Sequence, residues 1–115
     1  MSDDLAKNLK GLIDLLNQSK DAYIEYHSNN GQYKYAKKLR VINDKVSKHI
    51  EKIEASKDLE LKEAIIELEE HLEQWSLLWD KKSKSNNFQD KDKFVFTGYK
   101  SYPRTLDKLL ISRLK

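Results

Sequence analysis

Apolar residues recur at alternating steps of four and three along three long stretches of this 115-residue chain. Leu5, Leu9, Leu12, Leu16, Ser19, Tyr23 and Tyr26 form the first register. Tyr35, Leu39, Ile42, Val46, His49 and Ile53 form the second, and Leu61, Ile65, Leu68, Leu72, Trp75 and Trp79 the third. A mean step of about 3.5 residues places such side chains on one stripe of a helix, which must be buried against a neighbour. Ile13, Leu15, Val41, Ile50, Ile66, Leu77 and Leu78 widen these stripes beyond what a two-stranded coiled coil uses. The pattern predicts an all-α fold: an antiparallel three-helix up-down-up bundle, with a long loop and a short C-terminal fourth helix. That fourth helix can cover the groove left open by the first three; otherwise a second subunit would fill it.

Punctuation sets the boundaries. Ser2 is a suitable N-cap, Asp3 and Asp4 favour a helix N-terminus, and Ser28-Asn29-Asn30-Gly31 is a turn cluster, so the first helix should span 3–28. The second should span 32–55 and the third 57–82. Only Ser56 marks the break between them, with Leu59 where a capping box needs Glu, so one long bent helix through 32–80 is the alternative. From 83 to 102 the helical period stops, and a loop or extended arm is expected. Within it Phe94-Val95-Phe96-Thr97 reads as a short extended piece. Pro103 suits a first helical turn, giving a fourth helix over 103–114 capped by Ser101 or Tyr102, with Leu106, Leu109, Leu110 and Leu114 facing the core.

Composition narrows the chemistry. The length allows one domain, residues 1–115, with one modest core. Without cysteine there is no disulfide, thiolate metal site or cysteine nucleophile. No stretch approaches the roughly 18 apolar residues of a membrane span, and Met1-Ser2-Asp3-Asp4 lacks the features of an export signal; a cytoplasmic protein is expected. The net charge of +3 conceals an alternation. Residues 1–28 carry −2, 29–56 carry +4, 57–80 carry −6 and 81–115 carry +7.

No constellation supports catalysis. In an up-down-up bundle His49, His71 and His27 would lie about 9, 20 and 35 Å from the second turn, too far apart to share a metal ion. His49 is expected as a core-edge histidine held by a hydrogen bond. Glu60, Glu63, Glu67, Glu70 and Glu73 read as a solvated helix face, and Gly31 and Gly98 are too isolated to cradle phosphate. No catalytic residue, cofactor or metal ligand is assigned, and the expectation is a protein that is not an enzyme.

The same arithmetic gathers Tyr23, Tyr26, Tyr33, Tyr35, Trp75 and Trp79 at one end of the bundle, with Lys34, Lys37, Lys38, Lys81, Lys82 and Lys84. The tail adds Lys93, Phe94, Phe96, Tyr99, Lys100, Tyr102 and Arg104. Such an aromatic-basic end can close the core, or hold an anionic partner on its outer side. Trp75 is assigned to the core. The expected partner-binding residues are Trp79, Lys81, Lys82, Lys84, Phe96, Tyr99, Lys100, Tyr102 and Arg104. The expected function is a non-enzymatic helical-bundle protein-interaction module: an adaptor, a chaperone or inhibitor, or an immunity-type binder of a protein with an acidic surface. The alternatives are a nucleic-acid-binding protein using the same surface and a purely structural homo-oligomer such as a homodimer. Against nucleic acid stands the acidic third helix in the same small body.

Overall fold

The computed structural model describes residues 3–53, 58–85, 87–95 and 101–114. Four helices follow one another: α1 (Asp3–Ser28), α2 (Tyr33–Ile50), α3 (Leu59–Ser85) and α4 (Leu106–Leu114). Among the described residues there is no strand, only an isolated antiparallel bridge between Gln32 and Lys93. The fold is the all-α one expected, three long helices with a short C-terminal fourth.

α1 stops where the turn cluster lies. The Gly31 amide donates to the Tyr26 carbonyl at 3.0 Å, and Asn30 and Gly31 both take left-handed backbone angles, φ 60° and 66°. This is the geometry that closes a helix C-terminus, and glycine adopts it without a steric cost. A Cβ on Gly31 would meet Val95 Cγ2 at 3.0 Å and the Tyr26 hydroxyl at 3.3 Å. α1 and α2 then pack along their length as a hairpin. At Gly11 the His49 ring of α2 comes so close that a Cβ would lie 2.7 Å from it. His49 is half-buried there, and its Nε2 donates to the Asn8 carbonyl at 2.7 Å, the core-edge role expected of it.

The first and third registers point inward as expected at Leu9, Leu12, Leu16, Leu61, Ile65, Leu68, Leu72 and Trp75. The second is rotated. α2 buries Ala36, Leu39, Asn43, Val46 and Ile50, while Tyr35, Ile42 and His49 are only half-buried. The reason is that α2 packs against both α1 and α3, so its buried face points between the two partners. Asn43 is tolerated inside because Ser19 Oγ donates to its Oδ1 at 2.7 Å. Val41, Ile66 and Leu77, taken as widening the stripes, are exposed.

α2 and α3 are separate helices. α2 ends at Ile50 in two short turns, Lys52 bonding back to His49 and Ile53 to Ile50, both at 3.0 Å. Ser56 lies outside the described residues. Asp58 supplies the cap: its Oδ1 accepts from the Leu61 amide at 3.2 Å. α3 runs on to Ser85, past the expected end, while α4 begins at Leu106 after a turn at Arg104 and Thr105. Pro103 is therefore buried just outside the helix rather than in its first turn.

Among the described residues no Cα of α1 comes within 8 Å of one in α3; α4 lies against both. Its buried Leu106 and Leu110 join Leu9, Leu12, Val46, Leu61, Ile65 and Leu68 in the main core. Each such leucine contributes about 1.5–3 kcal/mol when fully buried. The body measures 47 × 21 × 20 Å. No described helix is long and apolar enough to cross a membrane.

Candidate interaction surface at the aromatic-basic end

A second core closes the end opposite α4. Phe94, wholly buried, sits among Ala36, Leu39, Trp75 and Trp79, with Ala22, Tyr26, Tyr33 and Phe88 packed around them. The rings form one cluster: Trp79 to Phe94 at 4.4 Å, Phe88 edge-on to Phe94 at 4.8 Å, Tyr33 stacked on Phe88 at 5.5 Å and Trp75 to Trp79 at 5.5 Å between centroids. Trp79 was expected to face a partner; it is buried instead. It lies one turn beyond Trp75 on the same stripe, and Phe94 and Tyr33 cover the face that a bare three-helix bundle would leave open. Arg40 completes the cover, 5.4 Å above the Trp79 ring and paired with Asp80 at 3.2 Å and Asp44 at 3.4 Å.

The backbone explains why the 87–95 segment packs here. The N-terminal amides of a helix have no partner within it, and Gln32 makes no side-chain cap for α2. The arm supplies the acceptors. Tyr33 N–H donates to the Asp92 carbonyl at 2.7 Å and Lys34 N–H to the Asp90 carbonyl at 3.1 Å, while Phe94 N–H donates to the Gly31 carbonyl at 2.8 Å. The Tyr26 hydroxyl and the Lys82 ammonium donate to the carbonyls of Phe94 and Val95. So the arm caps α2 and plugs the aromatic core at once. Phe88 was not singled out in the sequence, and Arg40 was not placed at this end, because neither falls on a helical apolar register.

Lysines form a collar around this core. Lys37 pairs with Asp90 at 2.8 Å and lies 5.0 Å over the Tyr33 ring. That hydrogen bond holds Asp90 below the usual carboxylate range and raises Lys37. Lys38 pairs with Glu25 at 3.3 Å, and with Lys34 it flanks the Tyr35 ring at 5.3 and 5.8 Å. Lys34 and Lys81 are exposed, and Lys82 is half-buried over the Phe94 ring at 5.5 Å. Lys84, Lys91 and Lys93 are exposed and have no carboxylate partner among the described residues.

The remaining expected contact residues divide. Phe96, Tyr99 and Lys100 lie outside the described residues. Tyr102 and Arg104 do not belong to this end. Tyr102 packs edge-on against His71 at 5.8 Å, two turns of α3 below Trp79, and its hydroxyl donates to Asp107 at 2.9 Å. Burial first, then Asp107, pushes that phenol well above its ordinary range. Arg104 is exposed just beyond it, next to Thr105, which faces Glu63 and Glu67. Residues 101–105 lie along the bundle rather than at its end, because α4 is drawn to the open α1–α3 side. Beside Tyr102 a cavity of about 330 Å³ is lined by Leu16, Ser19, Leu39, Asn43, His71 and Trp75, with the Ser19–Asn43 and Tyr102–Asp107 hydrogen bonds at its edge.

No family model matches the chain, and neither a curated protein nor a solved structure matches it significantly.

Proposed function

We propose that this protein is a non-enzymatic interaction module whose basic end captures a partner protein through an acidic surface. The lysine collar carries this reading: Lys84, Lys91 and Lys93 stand exposed without carboxylate partners among the described residues, and the arm that carries Lys91 and Lys93 is fixed at Lys34 by backbone hydrogen bonds and by the Phe94 plug. Cations held in place before encounter steer and orient a partner at little cost in ordering. Adaptors, chaperones or inhibitors of one partner, and immunity-type proteins all act through contacts of this kind. The rings of Trp75, Trp79 and Phe94 face inward, so stacking on nucleic-acid bases has less support than contact with a charged protein face.

The test is a triple charge reversal, Lys84→Glu, Lys91→Glu and Lys93→Glu, compared with the unaltered chain in affinity capture at moderate salt. The unaltered chain is expected to retain one stoichiometric protein. The variant should retain at least about tenfold less, with its melting curve unchanged. Equal retention by the two chains, or recovery of nucleic acid alone, defeats the proposal.

A further inference from the structure

We propose that the groove between α2 and α3 docks a basic amphipathic helix of a partner protein. The groove has a volume of about 460 Å³. Ile50, Leu72 and Trp75 reach it from below, and Leu77, 61% exposed, forms part of its α3 wall. Asp44 and Glu51 of α2 face Glu69 and Glu73 of α3 across it. Ile66 is exposed eleven residues before Leu77, about three helical turns, so both lie on one side of α3.

Three observations select the occupant. Glu51, Glu69 and Glu73 meet no lysine or arginine among the described residues, and Asp44 meets only Arg40, whose guanidinium lies over the Trp79 ring. Glu69 and Glu73 are four residues apart, a spacing at which like charges repel along a helix. Carboxylates on both walls over an apolar floor therefore ask for a cation-flanked apolar stripe. A helix provides that stripe, with leucines at intervals of three and four and lysines on either side. The fold already shows the geometry: α4 seats Leu106 and Leu110 on the α1–α3 side, while below the arm the α2–α3 groove is lined, among the described residues, only by residues 43–51 and 69–77. This surface is separate from the lysine collar and opposite to it in charge, so a chain using both would bridge an acidic surface and a basic helix.

The probe is a labelled leucine–lysine peptide of helical apolar period, titrated against the whole chain by fluorescence anisotropy. Glu69→Lys with Glu73→Lys is expected to weaken binding by at least about tenfold. Glu63→Lys with Glu67→Lys, an equal change of charge on the side of α3 that faces α4, should change it by less than about threefold. A peptide of the same composition without the period should bind as weakly as the groove variant does. Equal losses in the two variants, equal binding of the aperiodic peptide, or no saturable binding overturns the proposal. A dimer of the unaltered chain that the Glu69/Glu73 variant dissolves also overturns it, since a second copy would then occupy the groove. None of these readouts depends on the lysine collar, so failure here is distinguishable from failure there.

Discussion

Trp79 owes its position to residues far from it in sequence. Its ring is packed by Tyr33, Phe94 and the Arg40 guanidinium. Trp79→Ala would leave a cavity beside Phe94, for which a loss of about 3–5 kcal/mol of stability is expected, measured by urea unfolding. Unchanged stability would mean the ring is not packed as described. Gly31 is fixed as firmly, by its left-handed backbone and the closeness of Val95 and Tyr26. The sequence showed Trp79 on the right stripe, but burial there depends on Phe94, fifteen residues later and outside any helix. By contrast His49 was legible, since a histidine on a helical seam beside a small residue finds a backbone acceptor.

At the scale of the element, helix ends explain most of the differences from the sequence reading. α3 is capped by Asp58, which accepts from the Leu61 amide and from Arg113 of α4, whose Nη2 lies 3.3 Å from Asp58 Oδ1. The Arg113 hydrogen bond, then the Leu61 amide, lowers the Asp58 pKa below its ordinary value. A carboxylate depressed in the folded state stabilises that state above its unfolded pKa, and the contribution disappears as pH falls through the folded value. Unfolding curves from pH 6 down to about 2 should therefore show the unaltered chain losing more stability below about pH 4 than Arg113→Ala does. Parallel profiles for the two chains would show that Asp58 and Arg113 do not couple. From sequence alone Ser56, which lies outside the described residues, was the expected cap. Asp58 was not singled out, and its partner Arg113 comes from α4, 55 residues away in the chain. The rotated stripe of α2 has a similar origin, because a helix with two neighbours buries the face between them, and single-helix periodicity does not state how many neighbours there are.

The whole molecule is a short rod with two cores, aliphatic under α4 and aromatic under the arm. Small-angle scattering should report a monomer about 47 Å long, with a radius of gyration somewhat above the 15.2 Å of the Cα trace. A profile of an extended single rod would mean that α1, α2 and α3 do not fold back on one another, and both binding proposals would go with it. At this scale the alternation of charge becomes spatial. Lysines of the α2 N-terminus and the α3 C-terminus meet around the arm, while Asp44 and Glu51 of the otherwise basic second segment join Glu69 and Glu73 of α3 along the α2–α3 groove.

The sequence by itself determined that there are helices, about where the long ones lie, and which side of α1 and α3 is apolar. These follow from local geometry, the steps of three and four that any helix imposes on its own side chains. Tertiary structure alone decided the rest: the burial of Trp79 and Phe94, the rotation of α2, the capping of α2 by arm carbonyls, and the removal of Tyr102 and Arg104 from the basic end. Each depends on two segments distant in the chain meeting, and on backbone amides finding acceptors there, which no periodicity within one segment encodes.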